Sequence, residues 1–229
     1  SFDVTGDRLQ LADFVPQAGD LPFLNNFELD KLTSSSDGLT IKGEVNQKDL
    51  SIEANPTDKT FDITGDSLEI EDFIPQAANL SFLGNFSLTE LAYAGAGIEI
   101  SGTVNSKTIS VSRKTGSNDF SLEGDDLTLS DFIPSVSNIS FLDTFAFDSL
   151  TRTNTEITVD GKINNAVVSV VENSSDKSFA VTGEDLTLVD FVPNVSQVRF
   201  LGNFAFDSLT HTADKIEVAG KVSGKSLNV

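Results

Sequence analysis

The residues of this chain best equipped for chemistry are carboxylates that return at a fixed spacing. Gly6-Asp7 is followed six residues later by Asp13, and the same pairing recurs as Asp66 with Asp72, Asp125 with Asp131, and Glu184 with Asp190. Paired carboxylates suit two chemistries. A calcium ion takes about six to eight oxygen ligands, and glycoside hydrolysis takes two carboxyl groups facing across a cleft. The D-x-D-x-D-G run that gathers calcium ligands in one loop is missing, and four equivalent copies fit one hydrolytic cleft poorly. The eight acids stand as calcium candidates beside a structural reading. In that reading the first acid of each pair sits in a turn, and Asp13, Asp72, Asp131 and Asp190 cap a short helix. No catalytic residue and no cofactor other than calcium is expected.

Nucleophilic catalysis has little to draw on. The chain has no Cys, so it offers no thiolate nucleophile, disulfide or thiolate metal site. A Ser-His-Asp triad would have to use His211, the single histidine. Neither His211 nor Tyr93, the single tyrosine, recurs at its equivalent position. The column with Ser34, Ala92 or Tyr93, and Arg152 reads as an exposed strand end subject to drift. Gly95-Ala96-Gly97 lies between two strand patterns, a tight turn with no helix N-terminus to present to phosphate. Asn-x-Ser acceptors at Asn79, Asn85, Asn138, Asn173 and Asn194 matter only in a secreted eukaryotic chain.

The formal net charge of -20, from 35 acidic and 15 basic residues, repels phosphate backbones and anionic lipid. Nucleic acid is therefore excluded as a partner class. No apolar run approaches the roughly 18 residues of a membrane-spanning helix, so no membrane insertion is expected. A hydrophobic fraction of 38% argues for a folded chain despite the charge. Absence of Cys, Met and Trp together fits an extracellular or secreted protein.

What must position these residues is an internal repeat with a period of 59 residues: 1–59, 60–118, 119–177 and 178–229. Phe2, Phe61, Phe120 and Phe179 open the copies, and the columns headed by Gly6, Leu9, Asp13, Phe14, Pro16, Phe23, Leu24, Phe27, Leu32 and Gly43 are identical in all four. All 18 Phe fall in recurring columns. Aromatics tied to a structural period are core residues, since a binding strip would favour Trp and Tyr with their polar tips. The chain starts at Ser1 in phase with the repeat, which suits a processed chain or a piece of a longer array.

Within one copy, Phe27–Asp30, Leu39–Val45, Leu50–Glu53 and Phe2–Gly6 alternate apolar and polar residues, predicting short strands. Asp37-Gly38, Asn46-Gln47-Lys48 and Asn55-Pro56-Thr57-Asp58 supply the turns. Alternation stops between Leu9 and Pro16, where Asp13 and Pro16 predict a helix over 13–21. The expected fold class is α+β: a tandem-repeat array of four units, each with about four antiparallel strands and one short helix, helices packed on one sheet face. The outward set in the first copy, Asp3, Thr5, Glu28, Asp30, Thr40, Lys42, Glu44, Ser51 and Glu53, is polar throughout. A continuous sheet would add about 19 Å per copy and reach about 80 Å, the alternative being two globular pairs of copies.

The Phe-x-Leu-x-x-Leu segment, the alternating strands and Gly-Asp-x-Leu-x-Leu-x-Asp-Phe-Ile-Pro resemble tandem repeats of large fungal and bacterial proteins of uncharacterised function. The resemblance covers every copy and implies that such arrays sit inside larger proteins. The function expected is a non-enzymatic structural or adhesive repeat segment of a larger exported protein: an elongated spacer and interaction surface. Its partners would be a protein or cell surface and further repeats or domains of the parent chain. The alternative is a ligand-binding module for calcium, carbohydrate or lipid.

Overall fold

Leu11, Val15, Ala18, Leu21, Leu24 and Phe27 follow one another at spacings of four and then three, and all are buried. A spacing of four suits one α-helical turn, and a run of threes suits 3-10 geometry, in which residues i and i+3 eclipse. The computed structural model, which describes residues 2–4, 9–36, 38–213 and 215–229, shows this succession. Helix α1 (Leu11–Phe14) ends after four residues and is followed by 3-10 turns at Pro16–Asp20 and Pro22–Asn26. The helix expected over 13–21 is thereby corrected. Pro16 opens the first 3-10 turn and does not sit in the first turn of an α-helix.

The same strap returns as α2 (Ile70–Phe73), α3 (Leu129–Phe132) and α4 (Leu188–Phe191), each followed by two 3-10 turns. The expected N-cap is corrected too. Gln10, Glu69, Thr128 and Thr187 are the N-caps, while Asp13, Asp72, Asp131 and Asp190 sit three residues inside. Each Asp accepts a hydrogen bond from the backbone N–H of its cap residue, the reciprocal half of a capping box.

Strands make up most of the rest. The chain divides into two compact units, Ser1–Leu122 and Glu123–Val229. The first holds β1 (Phe2–Val4), β2 (Glu28–Ser34), β3 (Leu39–Val45), β4 (Lys48–Asn55), β5 (Thr60–Gly65), β6 (Ser87–Ala94), β7 (Gly97–Val104) and β8 (Lys107–Lys114). Strand β9 (Phe120–Gly124) spans the division. The second holds β10 (Ala146–Arg152), β11 (Glu156–Ile163), β12 (Ala166–Asn173), β13 (Phe179–Gly183), β14 (Phe204–His211), β15 (Ile216–Val222) and β16 (Lys225–Asn228). Within each unit, strands adjacent in the chain pair antiparallel. The fold is mostly antiparallel sheet. Helical pieces are minor, so the α+β expectation overweighted them.

One line of side chains runs across each sheet at matched register. In the first unit it is Leu32, Ile41, Ile52, Ile63, Leu91, Ile100 and Val111, each opposite the next. In the second it is Leu150, Val159, Val170, Val181, Leu209 and Val218. None of these exceeds 2% exposure. At about 1.5–3 kcal/mol for each buried aliphatic side chain, these lines fix the register, because a one-residue slip would turn every member toward water. On the opposite side Glu28, Asp30, Lys42 and Glu53 are exposed, while Thr40, Glu44 and Ser51 are half-buried.

Leu29 and Leu32 are three residues apart, yet both face core positions, opposite Gly43 and Ile41. A bulge between Leu29 and Lys31 absorbs the extra residue. It recurs at Leu88/Glu90, Phe147/Ser149 and Phe206/Ser208. The hairpins joining β3 to β4, β7 to β8, β11 to β12 and β15 to β16 turn on two residues with positive φ: Asn46-Gln47, Asn105-Ser106, Asn164-Asn165 and Ser223-Gly224. That is the turn whose twist matches the strands.

Candidate functional site

The eight candidate calcium ligands divide by position. Asp7 lies outside the described residues. Asp66, Asp125 and Glu184 are exposed in the turns that follow β5, β9 and β13. The neighbouring residue in each, Ser67, Asp126 or Asp185, takes a positive φ near 60°. The four inner acids are engaged by their own caps. Asp13 Oδ2 accepts from the Gln10 N–H at 2.8 Å, and Asp72 Oδ2 from Glu69 at 2.9 Å and from Lys48 Nζ at 2.6 Å. Asp131 accepts from the N–H and hydroxyl of Thr128 at 2.8 and 2.9 Å, and Asp190 from those of Thr187, both at 2.7 Å. Among the described residues, no three His, Asp or Glu side chains converge as a metal site would require.

The column expected to be an exposed strand end belongs to a polar line built into the core side. Ser34, Tyr93, Arg152 and His211 recur at one repeat position, and Tyr93 and Arg152 are only 2% and 6% exposed. Reading across the first unit, Ala54, Phe61, Tyr93, Ile98 and Arg113 lie opposite one another. In the second unit the line is Arg152, Ile157, Glu172, Phe179 and His211. Tyr93 stacks on Phe61 with ring centres 4.7 Å apart and planes at 5°. His211 stacks on Phe179 at 4.6 Å and 14°. Surface drift is thus corrected to core packing for Tyr93 and Arg152, and Tyr93 and His211 each cover a Phe.

Tyr93, Arg113, Arg152 and Glu172 each have one polar group that finds a local partner. The Tyr93 hydroxyl donates to Asp20 Oδ2 at 2.5 Å, and that hydrogen bond, together with burial, raises the phenol pKa above its ordinary value, with a hydrogen bond from Thr115 opposing. Arg113 donates to the Ser117 carbonyl at 3.1 Å, and burial lowers its pKa. Arg152 donates to the Glu156 carbonyl at 3.1 Å and to the Ser174 hydroxyl. Glu172, 3% exposed, accepts from Lys177 at 3.1 Å. The Nε atoms of Arg113 and Arg152 are buried without a hydrogen-bond partner, a cost of about 1–3 kcal/mol each.

Arg152 and Glu172 are separated by the intervening Ile157, and Glu172 and His211 by Phe179. The line therefore packs charged groups between hydrophobic ones without assembling a nucleophile, base and orienting acid. Sequence reasoning missed it because variation between copies was equated with exposure. The available signal was the shared register of Phe61 and Tyr93 with the alternating apolar positions of their strands.

Open hollows occur on the polar face. One of about 520 Å³ is lined by Asp30, Lys42, Asp49, Ser51, Thr64 and Asp66, among others. Gly95-Ala96-Gly97 joins β6 to β7 as a tight turn, with Gly95 at φ +52°. Among the described residues, no helix is long and apolar enough to cross a membrane. Comparison of the chain with protein-family models and with curated proteins finds no match to either.

Proposed function

We propose that the chain is a non-enzymatic structural or adhesive repeat segment of a larger, exported protein: a tandem array of four copies serving as an elongated spacer and interaction surface. Its copies are 1–59, 60–118, 119–177 and 178–229, and its partners are a protein or cell surface and further repeats of the same parent chain. The observation that carries this reading is the use made of the recurring polar residues. Asp13, Asp72, Asp131 and Asp190 each bind the backbone N–H three residues earlier. The four inner acids are thus engaged by their own caps, which supports a structural use of their recurrence. Small-angle scattering tests the spacer. A particle near the length of a continuous sheet, about 80 Å, supports it, and a compact particle overturns it.

A second reading, a ligand-binding module for calcium, carbohydrate or lipid, is favoured by the polar hollow bordered by Asp30, Asp49 and Asp66. Thermal unfolding with and without millimolar calcium tests the ion, because a ligand held only by the folded state raises the midpoint. An unchanged midpoint removes calcium. A glycan array without signal removes carbohydrate, and native mass spectrometry without co-purified lipid removes the third.

A further inference from the structure

The joint between the first two copies and the joint between the last two each lie inside one compact unit, and their apolar parts match. Phe23 of the first strap meets Phe73 of the second edge to face, with centres 5.0 Å apart and planes at 64°. Phe141 meets Phe191 in the same way at 4.8 Å and 67°. In both, the second 3-10 turn of one strap touches the α-helix of the next, Pro22–Asn26 on α2 and Ser140–Thr144 on α4.

Their polar parts differ. At the first joint Lys48, which opens β4 after the Asn46-Gln47 turn, places Nζ 2.6 Å from Asp72 Oδ2 and 3.8 Å from Glu69 Oε2, both on the strap of the next copy. The side chains of Lys48 and Asp72 are 21% and 17% exposed, so solvent and salt screen this pair less than an ion pair on the open surface. A second bridge runs the other way, from the Tyr93 hydroxyl of the second copy to Asp20 of the first strap. At the other joint Ala166 stands in the place of Lys48 and Thr187 in that of Glu69, while Asp190 keeps the place of Asp72. Ala166 opens β12 after Asn164-Asn165 as Lys48 opens β4, so the backbone of the clamp is present without its ammonium group. Among the described residues, Asp190 accepts only from its own cap residue, Thr187. Asn138 and His211 take the places of Asp20 and Tyr93, a pair without a carboxylate.

We infer that the joint between the third and fourth copies is a release joint, which opens while the joint between the first and second stays closed. Each bridge ties a strap to the neighbouring copy, so α2 lifts away only once the Lys48 clamp breaks, whereas α4 has ring packing to lose. Local opening begins where the fewest bonds cross a boundary. The use of such a joint rests on the spacer reading: a spacer under load lengthens at its weaker joint and keeps the rest folded. Salt acts on one joint alone, because the Lys48–Asp72 pair is electrostatic and the ring pairs are not.

Amide hydrogen exchange of the chain, resolved by residue, tests the inference. Ile74 and Val192 are matched reporters, each donating its N–H to the first carbonyl of its own helix, Ile70 at 2.8 Å and Leu188 at 2.9 Å. In the wild type Val192 should exchange at least about tenfold faster than Ile74. Ala166→Lys, which sets an ammonium group before Asp190 as Lys48 stands before Asp72, should slow Val192 about threefold or more. Lys48→Ala should speed Ile74 to a similar extent while circular dichroism stays native, and high sodium chloride should speed Ile74 and leave Val192 unchanged. Equal exchange at the two reporters, a Val192 that ignores Ala166→Lys in a folded chain, an Ile74 that ignores Lys48→Ala, or a gap that high salt leaves as it was overturns the inference. The Lys48→Ala arm decides if Ala166→Lys does not fold. A chain extended by scattering with two equal joints leaves the spacer reading standing, and a compact chain with unequal joints overturns the spacer alone, so the two failures are separable.

Discussion

The ring of Phe27 occupies the space that a side chain at Gly43 would need. A Cβ built on Gly43 would lie 2.7 and 2.8 Å from the Cζ and Cε1 atoms of that ring, closer than real contacts allow. Phe86 covers Gly102, Phe145 covers Gly161 and Phe204 covers Gly220 in the same way. The two invariant columns are one device. The glycine lets the strap enter the sheet close to the backbone, beside the bulge at Leu29 and Lys31.

Gly43→Ala should therefore destabilise the fold by about 1–3 kcal/mol, the usual cost of overpacking a core. Urea unfolding followed by far-ultraviolet circular dichroism reads the change. Alanine at Gly84, where a Cβ would meet nothing within 4 Å, is the control and should move the midpoint little.

Tyr93→Phe keeps the stack on Phe61 and removes the hydrogen bond to Asp20. The loss should be about 1.5–3 kcal/mol at neutral pH, the range for a bond to a charged group. The sign of the pH effect follows from the raised pKa of Tyr93. Folding favours the protonated phenol, so its contribution is full below the ordinary tyrosine value of about 10 and is lost as pH rises through the higher folded value. Wild-type stability should fall in that alkaline window, and the fall should be smaller in Tyr93→Phe when unfolding is measured across it.

Glu172 is a buried carboxylate that pairs with Lys177, a side chain 62% exposed. Lys177→Ala should destabilise the chain, because it strips that charge of its partner. Glu172→Leu combined with Lys177→Ala should restore wild-type stability or exceed it by about 1–4 kcal/mol, the gain seen when buried ion pairs give way to packed hydrophobic groups. Ile157 and Phe179 flank the site. A double variant less stable than Lys177→Ala alone would contradict this.

Asp13 and Asp72 make the same cap bond, but Asp72 also binds Lys48 from β4. Asp13→Ala should cost about 1 kcal/mol, the usual worth of a cap. Asp72→Ala should cost more, and the excess should shrink in high salt, because part of it is electrostatic. Chemical denaturation of both variants at two ionic strengths separates the contributions.

Much of this was legible in the residues. The alternation of Leu39 to Val45 specified β3 from end to end, and Asn46-Gln47 marked the hairpin, because period-two polarity and turn chemistry are local properties. The strap was legible only in part. Asp13 and Pro16 drew attention to an α-helix, yet the run of threes from Val15 to Leu24 decided for 3-10 turns. That choice depends on which face is covered, and a short segment does not say what lies against it.

The sequence by itself determined the 59-residue recurrence and the strand pattern, since each follows from spacing and polarity along the chain, whereas the Phe columns read as core are so only in part: Phe61, Phe120 and Phe179 are buried while Phe200 is 63% exposed. Only the tertiary structure decided the fate of Ser34, Tyr93, Arg152 and His211. Their types differ, so no pattern marked them as core. Ser34, Tyr93 and His211 each stand opposite a Phe of the neighbouring strand, and Tyr93 and Arg152 each carry a polar group that finds a partner nearby. The place opposite a Phe is set by residues distant in the chain and becomes visible only when neighbouring strands stand side by side.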